Sequence, residues 1–162
     1  MRRLSLLILL AACAGDKPAD SGAPPLEPLD LPADPSVSGV PVGVRTLERG
    51  GVTIEVWYPA PDALAGEAGP AIDFGVFVPS SVTDRLGDLF LPAVASGAVR
   101  DAPVRNVGER LPAVVFSHGF GGTRLQSIDY AEHLASRGYI VAAADHPGRM
   151  LGDVLPCLFS PP

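Results

Sequence analysis

The sequence predicts an α/β protein in which an antiparallel hairpin leads into a mostly parallel sheet. Two observations carry this prediction. Residues 40–44 and 52–58 alternate apolar and polar side chains with a period of two, which indicates paired strands with one buried face. Between residues 113 and 145, an apolar run, an amphipathic stretch and a second apolar run have the lengths of a strand, a helix and a strand. Together they predict one β-α-β unit beside a hairpin.

The first residues are typical of a targeting signal. Residues 1–12 combine a basic start with an apolar run too short to span a bilayer, as secretory signal peptides do. Cys13 follows Leu10, Ala11 and Ala12, a pattern that resembles the lipobox of bacterial lipoproteins. That resemblance implies cleavage before Cys13 and acylation of Cys13. The alternative is an ordinary signal peptide with a chance cysteine.

Residues 13–38 are rich in proline, aspartate, serine and glycine and have few aliphatic and no aromatic side chains. Such a segment cannot bury enough apolar area to offset the entropy of ordering it, so a disordered tether is predicted. The folded domain is then expected over residues 39–162. Acylation of Cys13 would hold the protein on a membrane of the bacterial cell envelope without a spanning helix.

The net charge argues against one class of partner. The 162-residue chain has a formal net charge of −6, and removal of Arg2 and Arg3 with the signal peptide takes it to −8. Nucleic acid is therefore excluded as an expected partner, because phosphate binding needs a basic surface. Cys157 is the only other cysteine, so no disulfide is expected beside an acylated Cys13, and Cys157 is predicted to be a buried free thiol.

The sequence between the hairpin and the β-α-β unit is less regular. Apolar residues alternate from Ile72 to Val78, which predicts another strand. Ser81 and Asp84 predict the start of a short helix that runs through Phe90. Residues 91–107 are expected to cross the surface, and no function is assigned to them.

The β-α-β unit is the most clearly marked part of the chain. Residues 113–116 are continuously apolar, which predicts a parallel strand covered on both faces. Thr123 and Gln126 match a capping box, so the helix is expected to begin just after Thr123, and Gly138 predicts its end. Residues 139–144 are the second expected strand. The apolar face of the helix is predicted to comprise Leu125, Ile128, Ala131, Leu134 and Ala135, and the polar face Gln126, Asp129, His133 and Arg137.

A glycine-rich turn, Ser117–Gly122, joins the first of these strands to the helix. Its backbone N–H groups gather at a positive helix end, where an anion or a developing oxyanion can bind. A dinucleotide-binding fingerprint is excluded because Arg124 stands where the third glycine is required. A P-loop is excluded because no Gly-Lys-Ser/Thr follows. An oxyanion hole is the interpretation that remains.

Four segments resemble one family of enzymes: WYPA at 57–60, FSHGFGG at 116–122, HLASRGY at 133–139 and VAAADHPG at 141–148. They are similar to the platelet-activating-factor acetylhydrolase and dienelactone-hydrolase-like branch of the α/β-hydrolases. The resemblance implies a sheet with helices on both faces and the Phe120 N–H as an oxyanion donor, with His118, Gly119, Gly121 and Gly122 lining the substrate site. It also implies cleavage of carboxylic esters or lipid acyl groups by a Ser-Asp-His triad, without a metal or a cofactor.

The sequence departs from that family at the nucleophile. No serine lies in a G-x-S-x-G elbow, and neither Ser117 nor Ser127 has the flanking glycines. We therefore expect the N-terminal part of a hydrolase, shortened by a frameshift, an early stop or a sequencing break. This predicts that the downstream DNA encodes a G-x-S-x-G after a buried strand, in the same frame or in another. As given, the chain is expected to be nearly inactive. The alternative is a non-catalytic envelope lipoprotein that acts as a binding module.

Six polar residues are candidates for the site, and each has a structural or solvent-exposed interpretation that is favoured over a catalytic one. His118 is expected to orient the turn through hydrogen bonds, and Asp145 and His146 are expected to stabilise the exit from the second strand. His133, Arg124 and Arg149 are expected to be solvated. No group of three or four metal ligands is evident in the sequence.

Overall fold

The structure, a computed structural model, describes residues 25–86 and 93–159. The strands of this part of the chain form one mixed sheet in the order β3-β1-β2-β5-β4. The strands are β1 (Val42–Arg49), β2 (Val52–Pro59), β3 (Val99–Arg100), β4 (Ala113–Ser117) and β5 (Ile140–Ala144), and the helices are α1 (Ser80–Leu86), α2 (Ile128–Ser136) and α3 (Leu151–Phe159). Short 3₁₀ turns occur at Asp62–Leu64 and Phe74–Phe77.

The predicted hairpin is confirmed, but its buried side differs from the one that the apolar residues suggest. β1 and β2 pair antiparallel, and Gly50 and Gly51 make the turn with φ of 59° and 77°, which favours glycine. On β2, Glu55 and Trp57 are each only 1% exposed, whereas the alternating Val52, Ile54 and Val56 are half-buried. The side with the tryptophan packs in the core with α2, because one indole ring buries more area than a valine.

The predicted β-α-β unit is confirmed, with a later helix start. β4 and β5 pair in parallel, and Gly138, with φ of 90°, follows the end of α2. The helix begins at Ile128 rather than just after Thr123. The Thr123 hydroxyl accepts the Leu125 N–H at 3.2 Å, so it caps the turn that precedes the helix. Of the predicted apolar face, Ile128, Ala131 and Ala135 are buried and Leu134 is partly buried, whereas Leu125 is buried in the turn that precedes the helix.

The prediction that β4 is covered on both faces was wrong. β4 lies at the end of the sheet, and Val115 is 64% exposed. A continuously apolar strand looks the same in sequence whether one or both of its faces are covered by other elements. β4 therefore presents an open edge and one uncovered apolar face in the described part of the chain.

The predicted strand over residues 72–78 was also wrong. Ile72 makes an isolated antiparallel bridge to Val94, and residues 74–77 form a 3₁₀ turn. The Asp73 carboxylate accepts the Gly75 N–H at 2.7 Å, which stabilises the turn over an extended chain. The helix predicted from Ser81 is confirmed as α1, and residues 87–92 lie outside the described residues.

The main core lies between the sheet and α2. It contains side chains from β1, β2, β5 and α2, with Ala98 from the segment before β3. A smaller cluster of Val78, Val82 and Leu155 joins α1 to α3. The buried members of the main core are Val42, Val44, Trp57, Ala98, Leu125, Ile128, Ala131, Ala135, Val141 and Ala143.

Residues 25–38 form no helix or strand, and two arginines hold them against the domain. Arg105, 4% exposed, donates to the Glu27 and Pro28 carbonyls at 2.9 and 2.7 Å. Arg137 donates to the carbonyls of Pro32 and Asp34 at 2.9 and 2.7 Å. Residues 1–24, with the predicted signal peptide and Cys13, lie outside the described residues, as does the Cys157 side chain. Within the described ranges, no helix has both the length and the apolar character needed to cross a membrane.

The Asp62 carboxylate pairs with Arg105, one of the two arginines that hold this segment, and the pair depends on pH. The Arg105 guanidinium donates to both Asp62 carboxylate oxygens, at 2.6 and 3.0 Å, and these bonds hold the pKa of Asp62 below its ordinary value of 3.8. The ionised pair therefore stabilises the fold above pH 3.8, and this contribution is lost as the pH falls through the lower folded-state pKa. We expect wild type to be more stable than Asp62→Asn at neutral pH, with the difference shrinking in acid. Urea unfolding of both proteins across this range measures it, and parallel pH curves would contradict it.

Candidate active site

The candidate site lies where β4 and β5 end side by side. Parallel strands place their carboxyl ends at one edge of the sheet, and ligands of α/β proteins bind at such edges. Here the turn after β4 and the turn after β5 enclose an open cleft of about 460 Å³. Its lining residues are Ser117, His118, Gly119, Phe120, His146, Pro147 and Arg149.

The turn after β4 needs two of its glycines for different reasons. Gly121 has φ of 74°, a conformation that side chains with a Cβ disfavour. A Cβ on Gly122 would come within 3.0 Å of the His118 Cβ and 3.1 Å of the Gly119 carbonyl oxygen. Gly119 has open space on its Cβ side. The first glycine therefore borders the cleft, and the other two permit the tight turn.

The Phe120 N–H is available to a ligand. Among the described residues no acceptor is recorded for this group, although the N–H groups of Gly121 and Gly122 both donate within the fold. The Phe120 side chain is 76% exposed at the rim of the cleft. An unpartnered backbone donor beside an open cleft is what stabilisation of an oxyanion requires. Phe120 as the oxyanion donor stays a prediction from the family resemblance.

The segment before α3 clamps the turn from one side. The Gly121 N–H donates to the Arg149 carbonyl at 2.9 Å, and the Leu151 N–H donates to the Gly122 carbonyl at 3.0 Å. These bonds form a short parallel bridge between Gly122 and Met150. The position of Phe120 is therefore set by backbone bonds on its C-terminal side.

His118 clamps the turn from the other side. It is 6% exposed; its Nδ1 lies 2.8 Å from the Gly119 carbonyl oxygen, and its Nε2 accepts the His146 N–H at 3.2 Å. Because Nε2 accepts, the hydrogen bonds assign the neutral tautomer with the proton on Nδ1, which donates to Gly119. His118 thus connects the turn after β4 to the turn after β5, the orienting role expected of it.

Ser117 and His146 form a hydrogen bond at the floor of the cleft. The Ser117 Oγ lies 2.7 Å from the His146 Nε2. The His146 ring also packs on the His118 ring, with centroids 4.5 Å apart and planes tilted by 41°. Ser117 is exposed and His146 half-buried, so both are reachable from the cleft.

A buried charge network lies beneath the turn and corrects the expectation for Arg124. Arg124 is not solvated: it donates to Glu55 at 3.2 Å and to Asp145 at 2.5 Å, and its side chain is 17% exposed. The Arg124 backbone N–H also donates to Asp145, at 3.0 Å. Glu55 receives further bonds from Arg100 and from the Thr46 hydroxyl. The network connects the middle of the sheet to both turns of the site.

The other candidates face solvent. Arg149 is exposed at the cleft, and no ion pair involving its side chain is recorded within the described ranges. His133 and Asp129 are exposed on the outer face of α2. Across residues 25–86 and 93–159, no three His, Cys, Asp or Glu side chains cluster closely enough to hold a metal ion.

The fold and the site define the class of protein. A mixed sheet with a β-α-β unit and a glycine-rich strand-to-helix turn, in which no acceptor for the Phe120 N–H is recorded among the described residues, is consistent with part of an α/β-hydrolase fold. The profile of the family described as "Platelet-activating factor acetylhydrolase, isoform II" matches residues 50–150, more than half of the 162 residues. The chain belongs to that family. The matched region contains the hairpin turn, the candidate site and the charge network.

Individual relatives match over shorter stretches. The chain is 42% identical over 62 residues to the platelet-activating factor acetylhydrolase of Canis lupus familiaris and 37% identical over 62 residues to that of Bos taurus. These stretches are 38% of this chain but only 14% of either relative. A solved ferulic acid esterase from Streptomyces cinnamoneus gives a TM-score of 0.44 at 27% identity, covering 73% of this chain and 36% of that one.

The sequence did not predict two features of the site, the Ser117–His146 hydrogen bond and the burial of Glu55. The Ser117–His146 bond joins residues that the sequence assigns to separate turns, although the parallel alignment of the two strand ends could have indicated it. Glu55 alternates with apolar residues like a solvent-facing position, and nothing local marks it as buried. A buried carboxylate requires partners, so the pairing of Arg124 and Arg100 with Glu55 could not be predicted either.

Proposed function

We propose that this chain supplies the oxyanion-hole side of a serine ester hydrolase acting on carboxylic esters or lipid acyl groups. The observation that carries the proposal is the Phe120 N–H, which has no recorded acceptor in the described part of the chain and lies beside an open cleft at the ends of two parallel strands. The membership of residues 50–150 in an acetylhydrolase family supports ester cleavage as the reaction class. His118, Gly119, Gly121 and Gly122 shape the substrate side of this turn.

In this proposal the turn acts on charge that develops during the reaction. Attack on the ester carbonyl moves negative charge onto its oxygen, and an N–H aimed at that oxygen stabilises the transition state more than the ground state. The hydrogen bonds of His118 and of the segment before α3 keep the turn from reorganising as the charge forms. These 162 residues contain no G-x-S-x-G, and the proposal assigns the family's nucleophile to a segment outside them.

Replacement of Phe120 by proline tests the donor. In a polypeptide that joins this chain to a G-x-S-x-G segment from its own gene, Phe120→Pro removes the N–H and is expected to lower kcat on p-nitrophenyl butyrate by about 10² to 10³. Phe120→Ala removes the ring but keeps the N–H, and so serves as the matched control with a much smaller loss of kcat. Equal losses in the two variants would contradict the role of the N–H. The absence of a G-x-S-x-G in any downstream frame would contradict the hydrolase itself.

A second proposal concerns location. We propose that acylated Cys13 anchors the protein to a membrane of the bacterial cell envelope, on the support of the lipobox-like Leu10–Cys13. In the absence of a nucleophile, such a protein is a binding module, and the uncovered face of β4 is the feature that favours this alternative. Cys13→Ser is expected to move the protein from the membrane to the soluble envelope fraction. Recovery of the wild-type protein in the soluble envelope fraction without detergent would contradict the acyl anchor.

A further inference from the structure

The hydrogen bond between Ser117 and His146 is not used by the oxyanion turn. At 2.7 Å from the His146 Nε2, the Ser117 Oγ is within reach of proton transfer to the ring. In the neutral His146 tautomer that carries its proton on Nδ1, Nε2 accepts the hydrogen bond from the Ser117 hydroxyl. This is the ground-state arrangement of a nucleophile and its general base.

A third group orients the base. His118 accepts the His146 backbone N–H at 3.2 Å and stacks on its ring at a centroid separation of 4.5 Å. The His146 carbonyl accepts the Arg149 N–H at 3.0 Å. The backbone of His146 is therefore held on both sides, and His118 is the positioning residue. A nucleophile, a base and an orienting group in contact are the structural signature of an activated serine.

The surroundings of the pair suit a small ester. Ser117 is exposed, and the cleft of about 460 Å³ above it lies within the usual range of small-molecule sites. The unpartnered Phe120 N–H lines the same cleft and can receive an oxyanion. Arg149 adds a positive charge at the mouth. Nucleophile, base, donor and space are thus present within the described part of the chain.

We propose that Ser117 and His146 form a second nucleophile–base pair, distinct from the family's elbow serine, which accepts acyl groups from small activated carboxylic esters. The Ser117 Oγ bonds to the carbonyl carbon while its proton passes to the His146 Nε2. The bond from that carbon to the leaving oxygen then breaks, and the leaving group takes the proton from His146. The products are an O-acyl Ser117 and one alcohol or phenol.

The pair lacks one element of a full triad. The His146 Nδ1 has no hydrogen-bond partner among the described residues, so no carboxylate stabilises the imidazolium. In a serine protease, replacing that carboxylate lowers kcat by about 10⁴. Acylation of Ser117 is therefore expected once per molecule, with slow turnover.

A fluorophosphonate probe on the 162-residue protein tests the pair. The probe reacts as the ester does. The Ser117 Oγ bonds to the phosphorus atom, and the phosphorus–fluorine bond breaks to release fluoride. The hydroxyl proton passes to His146 and then to water. Peptide mass spectrometry is expected to locate the adduct at Ser117. Ser36 is a matched exposed serine whose hydroxyl donates to the Asp34 carboxylate instead of a histidine. Ser117 is expected to react at least about 10²-fold faster than Ser36 in the same folded molecule, the usual contribution of a general base.

Variants show whether Ser117 reacts because His146 activates its hydroxyl or only because the side chain is exposed to solvent. Ser117→Ala is expected to abolish the adduct, and His146→Gln to slow it about 10²-fold or more. His133→Gln, at an exposed histidine of α2, is the control and is expected to change nothing. In protein with a cooperative melt, no adduct at Ser117, or equal rates at Ser117 and Ser36, would overturn the proposal. The comparison of the Ser117 and Ser36 rates uses wild-type protein alone, so it tests the proposal even where a variant fails to fold. Its outcome does not depend on the Phe120→Pro experiment.

Discussion

Arg124→Met is expected to lower the free energy of unfolding by about 3–5 kcal/mol, because it leaves buried carboxylates with too few positive partners. Glu55 is 1% exposed and Asp145 is 6% exposed, and Arg124 bonds to both. Arg100 remains beside Glu55 in the variant, but its side chain is 40% exposed. The Arg124 guanidinium also lies 4.9 Å from the centre of the Phe77 ring, a contact that methionine replaces only in part.

The measurement is urea unfolding of the 162-residue protein followed by far-ultraviolet circular dichroism. Arg45→Met is the matched control, since the Arg45–Asp101 pair has a similar length, 3.3 Å, but side chains that are 48% and 65% exposed. Solvent-exposed pairs contribute at most about 1 kcal/mol, so a small change is expected there. Equal destabilisation by the two variants would show that burial does not set the strength of the Arg124 contacts.

Trp57→Ala is expected to cost about 3–5 kcal/mol, the usual range for removing a large aromatic side chain from a core. Trp57 is 1% exposed on β2 and lies directly opposite Val44 on one side and Val141 on the other. Its loss therefore opens a cavity at the strand that joins the hairpin to the β-α-β unit. Trp57→Phe is expected to cost less, because it keeps most of the ring and removes an indole N–H that has no partner among the described residues.

Trp57 is the only tryptophan, so the variants need circular dichroism rather than fluorescence to follow unfolding. Tyr130→Ala is the control, since this aromatic residue of α2 is 74% exposed. A surface change of that kind is expected to stay within about 0.5 kcal/mol. If Trp57→Ala were as mild as Tyr130→Ala, the core between sheet and helix would not depend on the indole.

The hairpin, the β-α-β unit and the glycine-rich turn could be predicted because each is marked by a pattern within a short segment of the sequence. The hairpin followed from two alternating runs, and the β-α-β unit followed from apolar runs, a helical face and Gly138 as a stop signal. The turn at 117–122 was recognised because glycine content and its place between strand and helix are both visible in sequence. The start of α2 was missed because Thr123 caps either a helix or a preceding turn with the same hydroxyl, and the sequence does not distinguish the two.

The contacts of the site could not be predicted in the same way. The Ser117–His146 bond joins positions 29 residues apart, and the Arg124–Glu55 pair joins positions 69 apart. Each requires the order and register of strands, which place β5 between β4 and β2. The burial of Glu55 likewise depends on which side of β2 meets α2.

The sequence by itself determined the class of fold, the glycine-rich turn after β4 and the family, because periodicity, glycine positions and motif residues are properties of short segments. Only the tertiary structure decided which face of β2 is buried. It also decided that Arg124 pairs with buried carboxylates instead of facing solvent, and that Ser117 and His146 form a hydrogen bond. The physical reason is that charge pairing and proton transfer depend on distances of about 3 Å between side chains. Those distances exist only after the sheet has brought its strand ends together.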